Sequence, residues 1–103
     1  MNFDINILIV EDLLTIRLFL RRTLKKLGYS YVVLAEDGEA ALNEVKKKSF
    51  DLIISDWHMP NMDGLDLFKE LNKDKKLRDI PFLLITAEKE REKVIEAVKA
   101  GIK

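Results

Sequence analysis

Four residues with oxygen-bearing side chains stand where apolar segments of this 103-residue sequence end. Glu11 and Asp12 follow the first such segment, Asp56 follows the third, and Thr86 ends the fourth. Carboxylates that lie close together repel one another, which raises their proton affinity unless a cation is present. These residue types therefore indicate a site for a divalent cation beside a carboxylate that can act as a nucleophile.

The elements that would position these residues alternate along the chain. Predicted strands cover the apolar segments 5–10, 31–35, 50–54 and 80–86. Apolar residues at helical spacing predict helices between and after them, around Leu13, Leu14, Ile16, Leu18, Leu20, Leu24 and Leu27, then Ala41, Leu42 and Val45, then Leu65, Phe68 and Leu71, then Val94, Ile95 and Val98. Strands alternating with helices predict a doubly wound α/β fold with a parallel sheet. All four polar side chains are then expected at the carboxyl-end edge of that sheet.

Phosphoryl transfer is the chemistry that this group of side chains suits. Mg²⁺ prefers oxygen ligands in octahedral geometry and keeps several waters, so two carboxylates, a backbone carbonyl and a phosphate oxygen would satisfy it. The transfer itself needs mainly in-line positioning and charge neutralisation, and aspartate is an established acceptor. Asp56 is the predicted acceptor. The hydroxyl of Thr86 can donate to a phosphoryl oxygen, and the small Ala87 leaves room for it.

Composition excludes several other functions. Lysine and arginine number 18 and so do aspartate and glutamate, and a zero net charge favours neither nucleic acid nor an acidic membrane as a partner. The absence of cysteine excludes disulfides and thiolate metal sites, and a single histidine leaves little for zinc. The length suits one core, and no apolar segment approaches a membrane span. One domain over residues 1–103, in a cytoplasmic protein, is expected.

Four short segments appear in a specific order, one after each predicted strand: Glu11-Asp12, Ala35-Glu36-Asp37-Gly38, Asp56-Trp57-His58-Met59-Pro60-Asn61-Met62-Asp63-Gly64 and Thr86-Ala87-Glu88. In this order the chain resembles the receiver domains of two-component response regulators, and among them the single-domain regulators of chemotaxis. The resemblance implies a flavodoxin-like sheet of strand order 2-1-3-4-(5).

The same resemblance implies roles for individual residues. Asp56 would take a phosphoryl group from the phosphohistidine of a histidine kinase. Mg²⁺ or Mn²⁺ would be bound by Glu11 (through water), Asp12, Asp56 and the backbone carbonyl of His58. Thr86 would be the switch hydroxyl. Such a domain catalyses its own phosphorylation and dephosphorylation without turning over a metabolite, and its downstream target would be a motor or output protein.

The sequence departs from the family pattern after the fourth helix. The family continues with a fifth strand that ends in Lys-Pro and with a fifth helix, whereas the prolines here are Pro60 and Pro81 and neither follows a lysine. No lysine of the family type is therefore present, because Lys99 and Lys103 lie in the wrong context. A receiver shortened in this way is expected to expose a sheet edge that favours a dimer through edge pairing or swapping. The alternative function is a phosphorylation- or output-defective binding module that another chain completes.

Other hypotheses compete for the same residues. A phosphatase with an aspartyl intermediate would resemble Asp-x-Asp, but His58 stands two residues after Asp56, and no glycine-rich phosphate loop follows the first strand. Glu11 and Asp12 alone could cap the first helix. The side chain of His58 could tune hydrolysis of an acyl phosphate, and Trp57 is expected to be a partly packed loop residue.

Overall fold

The computed structural model describes residues 3–85 of the chain. The elements of this part, in chain order, are β1 (Ile7–Val10), α1 (Leu14–Lys26), β2 (Val32–Ala35), α2 (Gly38–Lys47), β3 (Leu52–Asp56), α3 (Gly64–Asn72) and β4 (Phe82–Ile85). The strands form a parallel sheet of order β2-β1-β3-β4. This confirms the predicted doubly wound fold. The helix predicted around Val94, Ile95 and Val98 lies outside the described residues.

The first strand is the centre of the sheet and is buried on both faces. All four residues of β1 are at most 1% exposed, as their uninterrupted apolar sequence predicts for a central parallel strand. Leu8 and Val10 point toward α2 and α3, and Ile7 and Ile9 point toward α1, because side chains alternate along a strand. Both faces of the sheet therefore contribute to holding the end of β1 in place.

Helix α1 uses only part of its predicted apolar stripe. Leu20 and Leu24 pack against Ile7 and Ile9, but no residue of the helix is fully buried. The predicted stripe also included residues that prove exposed, namely Leu13, Leu14, Ile16 and Leu27. Spacing alone therefore predicted the helix correctly and overestimated the width of its buried face. No helix among residues 3–85 has the length and apolar character that crossing a bilayer requires.

All four strands differ from their predicted boundaries, and β1 and β2 simply start later than expected, at Ile7 and Val32. The third was expected at 50–54 and runs from Leu52 to Asp56, so Asp56 is the last residue of the strand and not a residue beyond it. The fourth was expected at 80–86 and is described from Phe82 to Ile85. Its proline precedes it, and the carbonyl of Pro81 accepts a hydrogen bond from the Ile53 amide at 2.9 Å. The shifted end of β3 places Asp56 in the sheet itself, where it pairs with Ile85 of β4.

Candidate functional site

The carboxyl ends of the strands bring three acidic side chains together. In the sheet register Val10 lies beside Ser55, so Glu11 and Asp56 occupy neighbouring positions at the edge. Carboxylate oxygens of Glu11, Asp12 and Asp56 lie within 4.8 Å of one another. The parallel topology thus joins residues that are 45 positions apart in sequence, as the strand-end pattern predicts.

Glu11 is the most deeply buried of the three acids. Its side chain is only 5% exposed, and this burial is the main reason that its pKa rises from 4.5 to about 7. The negative charge of Asp56, together with hydrogen bonds to Asp12 and Asp56, raises the pKa further, while the Leu13 amide opposes the rise. That amide donates to Glu11 Oε1 at 3.2 Å. Near neutral pH this cluster therefore shares a proton or requires a cation.

Asp56 is half-buried and is held by the backbone that follows it. The Trp57 amide donates to Asp56 Oδ1 at 2.8 Å, and the same amide also donates to the Ile85 carbonyl at 3.1 Å. Trp57 itself is buried, 4% exposed, between Leu65 and Leu84, so the expectation of a partly packed loop side chain is wrong. The Asp56 carboxylate is thus hydrogen-bonded to the backbone of a well-packed residue.

A glycine allows α3 to start directly against this strand end. The Gly64 amide donates to the Trp57 carbonyl at 2.8 Å, and a Cβ on Gly64 would lie 2.3 Å from the Asp56 carbonyl oxygen. Any other residue here would displace the helix or the strand. Asp63 is the N-cap of α3, and its side chain accepts a hydrogen bond from the Asp66 amide at 2.8 Å.

The loop between β3 and α3 is tied to the start of α2. Asp37 is the N-cap of α2, accepting from the Ala40 amide at 2.8 Å, and its other oxygen accepts from Asn61 Nδ2 at 3.0 Å. Both bonds lower the pKa of Asp37, the cap most strongly. Asn61 has a φ of +67°, and the Met62 amide donates to the Pro60 carbonyl across it at 2.7 Å, which is the pattern of a γ-turn.

One contact at the site involves a residue that the sequence did not single out. Arg17, in the first turns of α1, donates through one guanidinium nitrogen to the carbonyl of Glu11 at 2.7 Å and to that of Asp12 at 3.1 Å. Leu13 is the N-cap of α1 and provides no side-chain cap, so neither acid occupies the capping position. A basic residue five positions after an acid pair, on the helix that follows, was the available signal.

The remaining predicted site residues differ in how far the structure describes them. His58 has an exposed side chain whose ring stacks on Trp57 with centroids 6.4 Å apart and planes at 21°. Its backbone carbonyl as a metal ligand stays a prediction. Thr86 and Ala87 lie outside the described residues, and their roles stay predictions too.

Comparison with known proteins agrees with this geometry. Residues 7–103 match the family model described as response regulator receiver domain. The chain is 43% identical over 102 residues to the chemotaxis protein CheY-3 of Vibrio cholerae, covering 99% of this chain and 78% of that protein.

Solved structures give the same result. The chemotaxis protein CheY4 of Vibrio cholerae superposes with a TM-score of 0.88 at 35% identity, covering 97% of this chain and 82% of that one. The receiver domain of a sensor histidine kinase from Pseudomonas aeruginosa, described with magnesium coordinated in its active site cleft, superposes with a TM-score of 0.86 at 27% identity, covering 97% and 81%. Sheet order and acidic edge thus agree with the family match.

Proposed function

This chain belongs to the response regulator receiver domain family, and from that premise we propose that Asp56 accepts a phosphoryl group from a histidine kinase in a magnesium-dependent reaction. The observation that carries the proposal is the convergence of three carboxylates within 4.8 Å at the end of β1 and β3. By family the chain is a signalling domain and not a metabolic enzyme. Its phosphorylation would be the input of a switch.

The residues present suit a hard divalent cation. Glu11, Asp12 and Asp56 provide only oxygen donors, which Mg²⁺ and Mn²⁺ prefer, and the His58 carbonyl is proposed as a further ligand. Burial, and after it the charge of Asp56, raises the pKa of Glu11, so all three acids can be ionised together near neutral pH only with a cation between them. A bound Mg²⁺ or Mn²⁺ would neutralise negative charge on the carboxylates and on an incoming phosphoryl group.

Asp56 is proposed as the nucleophile because of where its carboxylate lies. A carboxylate oxygen of Asp56 forms the new P–O bond while the P–N bond of the donor phosphohistidine breaks, and the imidazole leaves with the electron pair and takes a proton from solvent. The Trp57 amide restricts rotation of the carboxylate by donating to Oδ1 at 2.8 Å. Hydrolysis of the resulting acyl phosphate would return free carboxylate and inorganic phosphate and reset the switch.

Partners and the response to phosphorylation belong to the same proposal. The phosphodonor is a histidine kinase, and the target of the phosphorylated state is a motor or output protein, in line with relatives that are named chemotaxis proteins. Thr86 is proposed to donate its hydroxyl to the phosphoryl group, and Ala87 to leave space for it. Both follow from the matched family, which includes these positions.

Labelling with a phosphodonor tests the acceptor. The wild-type chain, incubated with Mg²⁺ and either a radiolabelled phosphorylated histidine kinase or acetyl phosphate, is expected to gain an acyl phosphate, which borohydride reduces to homoserine at position 56 with release of the phosphate. Asp56→Asn is expected to gain none, and chelation of Mg²⁺ is expected to prevent labelling of the wild type.

Asp51, the residue directly before β3, provides a matched control. Asp51 is exposed at the opposite edge of the sheet, where it accepts from the Asn6 amide at 2.8 Å, a bond that asparagine also accepts. Asp51→Asn should therefore label like wild type. Label retained in Asp56→Asn, or labelling of wild type that chelation leaves unchanged, would contradict the proposal.

A further inference from the structure

The peptide units that carry Glu11 and Asp12 are held by a side chain from the next helix. A single nitrogen of Arg17 donates to the Glu11 carbonyl at 2.7 Å and to the Asp12 carbonyl at 3.1 Å, and the side chain is half-buried. The segment connects a central strand to a helix whose N-cap residue makes no side-chain cap bond. Its other bonds run from the Glu11 amide to the Ala35 carbonyl at 3.0 Å and from the Leu13 amide to Glu11 Oε1 at 3.2 Å.

A guanidinium in this place is unexpected on charge alone. Arginine stays protonated in proteins, so it repels a divalent cation bound by the neighbouring acids. Its hydrogen bonds among residues 3–85 go to backbone carbonyls and leave the carboxylates to one another. The contact therefore orients the acid pair while opposing the cation that the pair would bind.

We propose that Arg17 is a positioning residue for the cation site, fixing the Glu11 and Asp12 peptides so that both carboxylates face Asp56. This inference rests on the proposed magnesium site. A carbonyl held at 2.7 Å fixes the rotation of its peptide plane, and that rotation sets the direction in which the attached side chain leaves the backbone. Mutation of a residue that holds metal ligands in place typically changes the metal affinity by about 10- to 100-fold.

The two effects of removing the guanidinium have opposite signs. Loss of a positive charge alone makes Mg²⁺ bind more tightly, whereas loss of positioning makes it bind more weakly. Arg17→Ala removes charge and contact together, so the direction of change shows which effect prevails. Arg17→Gln removes the charge but keeps an amide donor, so positioning predicts an affinity between those of wild type and Arg17→Ala.

Magnesium titration of the full chain at fixed ionic strength tests the proposal, with Trp57 fluorescence as the readout because its amide bonds to Asp56. Arg17→Ala is expected to weaken Mg²⁺ binding by about tenfold or more. Arg22→Ala removes the same charge from an exposed position on the same helix and should bind like wild type. Circular dichroism checks that each variant is folded. If Arg17→Ala does not fold, Arg17→Gln tests the proposal in its place.

Phosphorylation provides the second readout. In Arg17→Ala the Mg²⁺ concentration for half-maximal labelling should rise by the same factor, while the label reached at saturating Mg²⁺ stays close to wild type. Equal or tighter Mg²⁺ binding by both Arg17 variants would overturn the positioning role and leave the proposed function intact. A wild-type chain that does not bind Mg²⁺ would overturn the proposed function, and this inference with it.

Discussion

Two acidic side chains at the same edge of the sheet are both buried, yet their pKa values move in opposite directions. Glu11 follows β1 and has a pKa raised to about 7, whereas Asp37 follows β2 and has a lowered pKa. Their exposures are almost the same, 5% and 8%. Burial alone therefore does not explain the difference.

Burial is the largest cause of the raised pKa of Glu11, whereas at Asp37 hydrogen bonds outweigh burial, so the groups that each carboxylate meets decide the direction. Asp37 faces hydrogen-bond donors, the Ala40 amide and the Asn61 side chain, which stabilise its charged form. Glu11 faces two other acids, Asp12 and Asp56, and a single amide. The fold satisfies Asp37 internally and leaves Glu11 in need of a proton or a cation. A carboxylate whose negative charge the fold does not stabilise with hydrogen-bond donors is the better candidate for function.

The largest expected effect is the dependence of stability on pH through Glu11 in the absence of divalent cations. Its pKa is about 7 in the folded state and 4.5 for an ordinary glutamate, so between these pH values the folded chain holds a proton that the unfolded chain has lost. The free energy of unfolding should therefore fall as pH rises from 4.5 to 7, by up to about 3 kcal/mol. Urea unfolding in chelator at several pH values measures it.

Glu11→Gln tests the assignment, because glutamine cannot ionise. The variant should lose most of the fall in stability, while Glu36→Gln, at an exposed acid beyond the end of β2, should keep it. Equal pH dependence in wild type and Glu11→Gln would show that the excess charge at this edge is not a property of Glu11.

Magnesium should reverse that loss of stability. A cation that binds only the folded chain adds about 2.7 kcal/mol when its concentration is a hundredfold above Kd. The gain should be larger at pH 8 than at pH 5, because protons compete for the raised pKa of Glu11. Thermal unfolding with and without Mg²⁺ measures it, and the control is Asp37→Asn, which retains all three acids of the cluster. A gain that is the same at both pH values would contradict the account.

Asp37→Ala should cost stability and leave the cation site functional. The change removes the N-cap bond to Ala40 and the bond from Asn61, which together contribute about 2 kcal/mol. Asp63→Ala is the matched control, because it removes the N-cap bond of α3 and should cost about 1 kcal/mol. Urea unfolding gives both values. If Asp37→Ala lowered the Mg²⁺ affinity as much as Asp56→Asn does, the distinction between Asp37 and the acids of the cation site would be contradicted.

Sequence patterns predicted one side of this comparison better than the other. The alternation of strands and helices predicted a parallel sheet and the convergence of Glu11, Asp12 and Asp56, because the carboxyl ends of parallel strands meet at one edge, whereas the strand order came from the family resemblance. Asp37 was named only as part of the short segment that follows the second predicted strand. Its bond to Asn61 depends on the path of a loop 24 residues later, which no local periodicity encodes.

Arg17 was missed for a related reason. Its contacts with the Glu11 and Asp12 carbonyls depend on the direction in which α1 leaves the sheet. Helical spacing predicts which face of the helix a residue occupies, but not which atoms its long side chain contacts. Apolar spacing likewise did not show that Ile16 would stay exposed. Residues that act through side-chain-to-backbone bonds thus need coordinates, whereas strand-end acids do not.

The smallest expected effect separates the two contributions of Asn61 to the Asp37 side of the edge. Asn61→Gly removes the donor to Asp37 but accommodates the φ of +67°, and should cost about 1 kcal/mol in unfolding free energy. Asn61→Ala also loses the bond and must hold alanine in the left-handed region, which adds about 1 kcal/mol. The pKa of Asp37, followed by NMR, should rise by the same amount in both variants, because both lose the same donor. Equal stabilities of the two variants would mean that the loop backbone is not strained at Asn61, and an unchanged pKa would mean that the Asn61 amide does not stabilise the charge of Asp37.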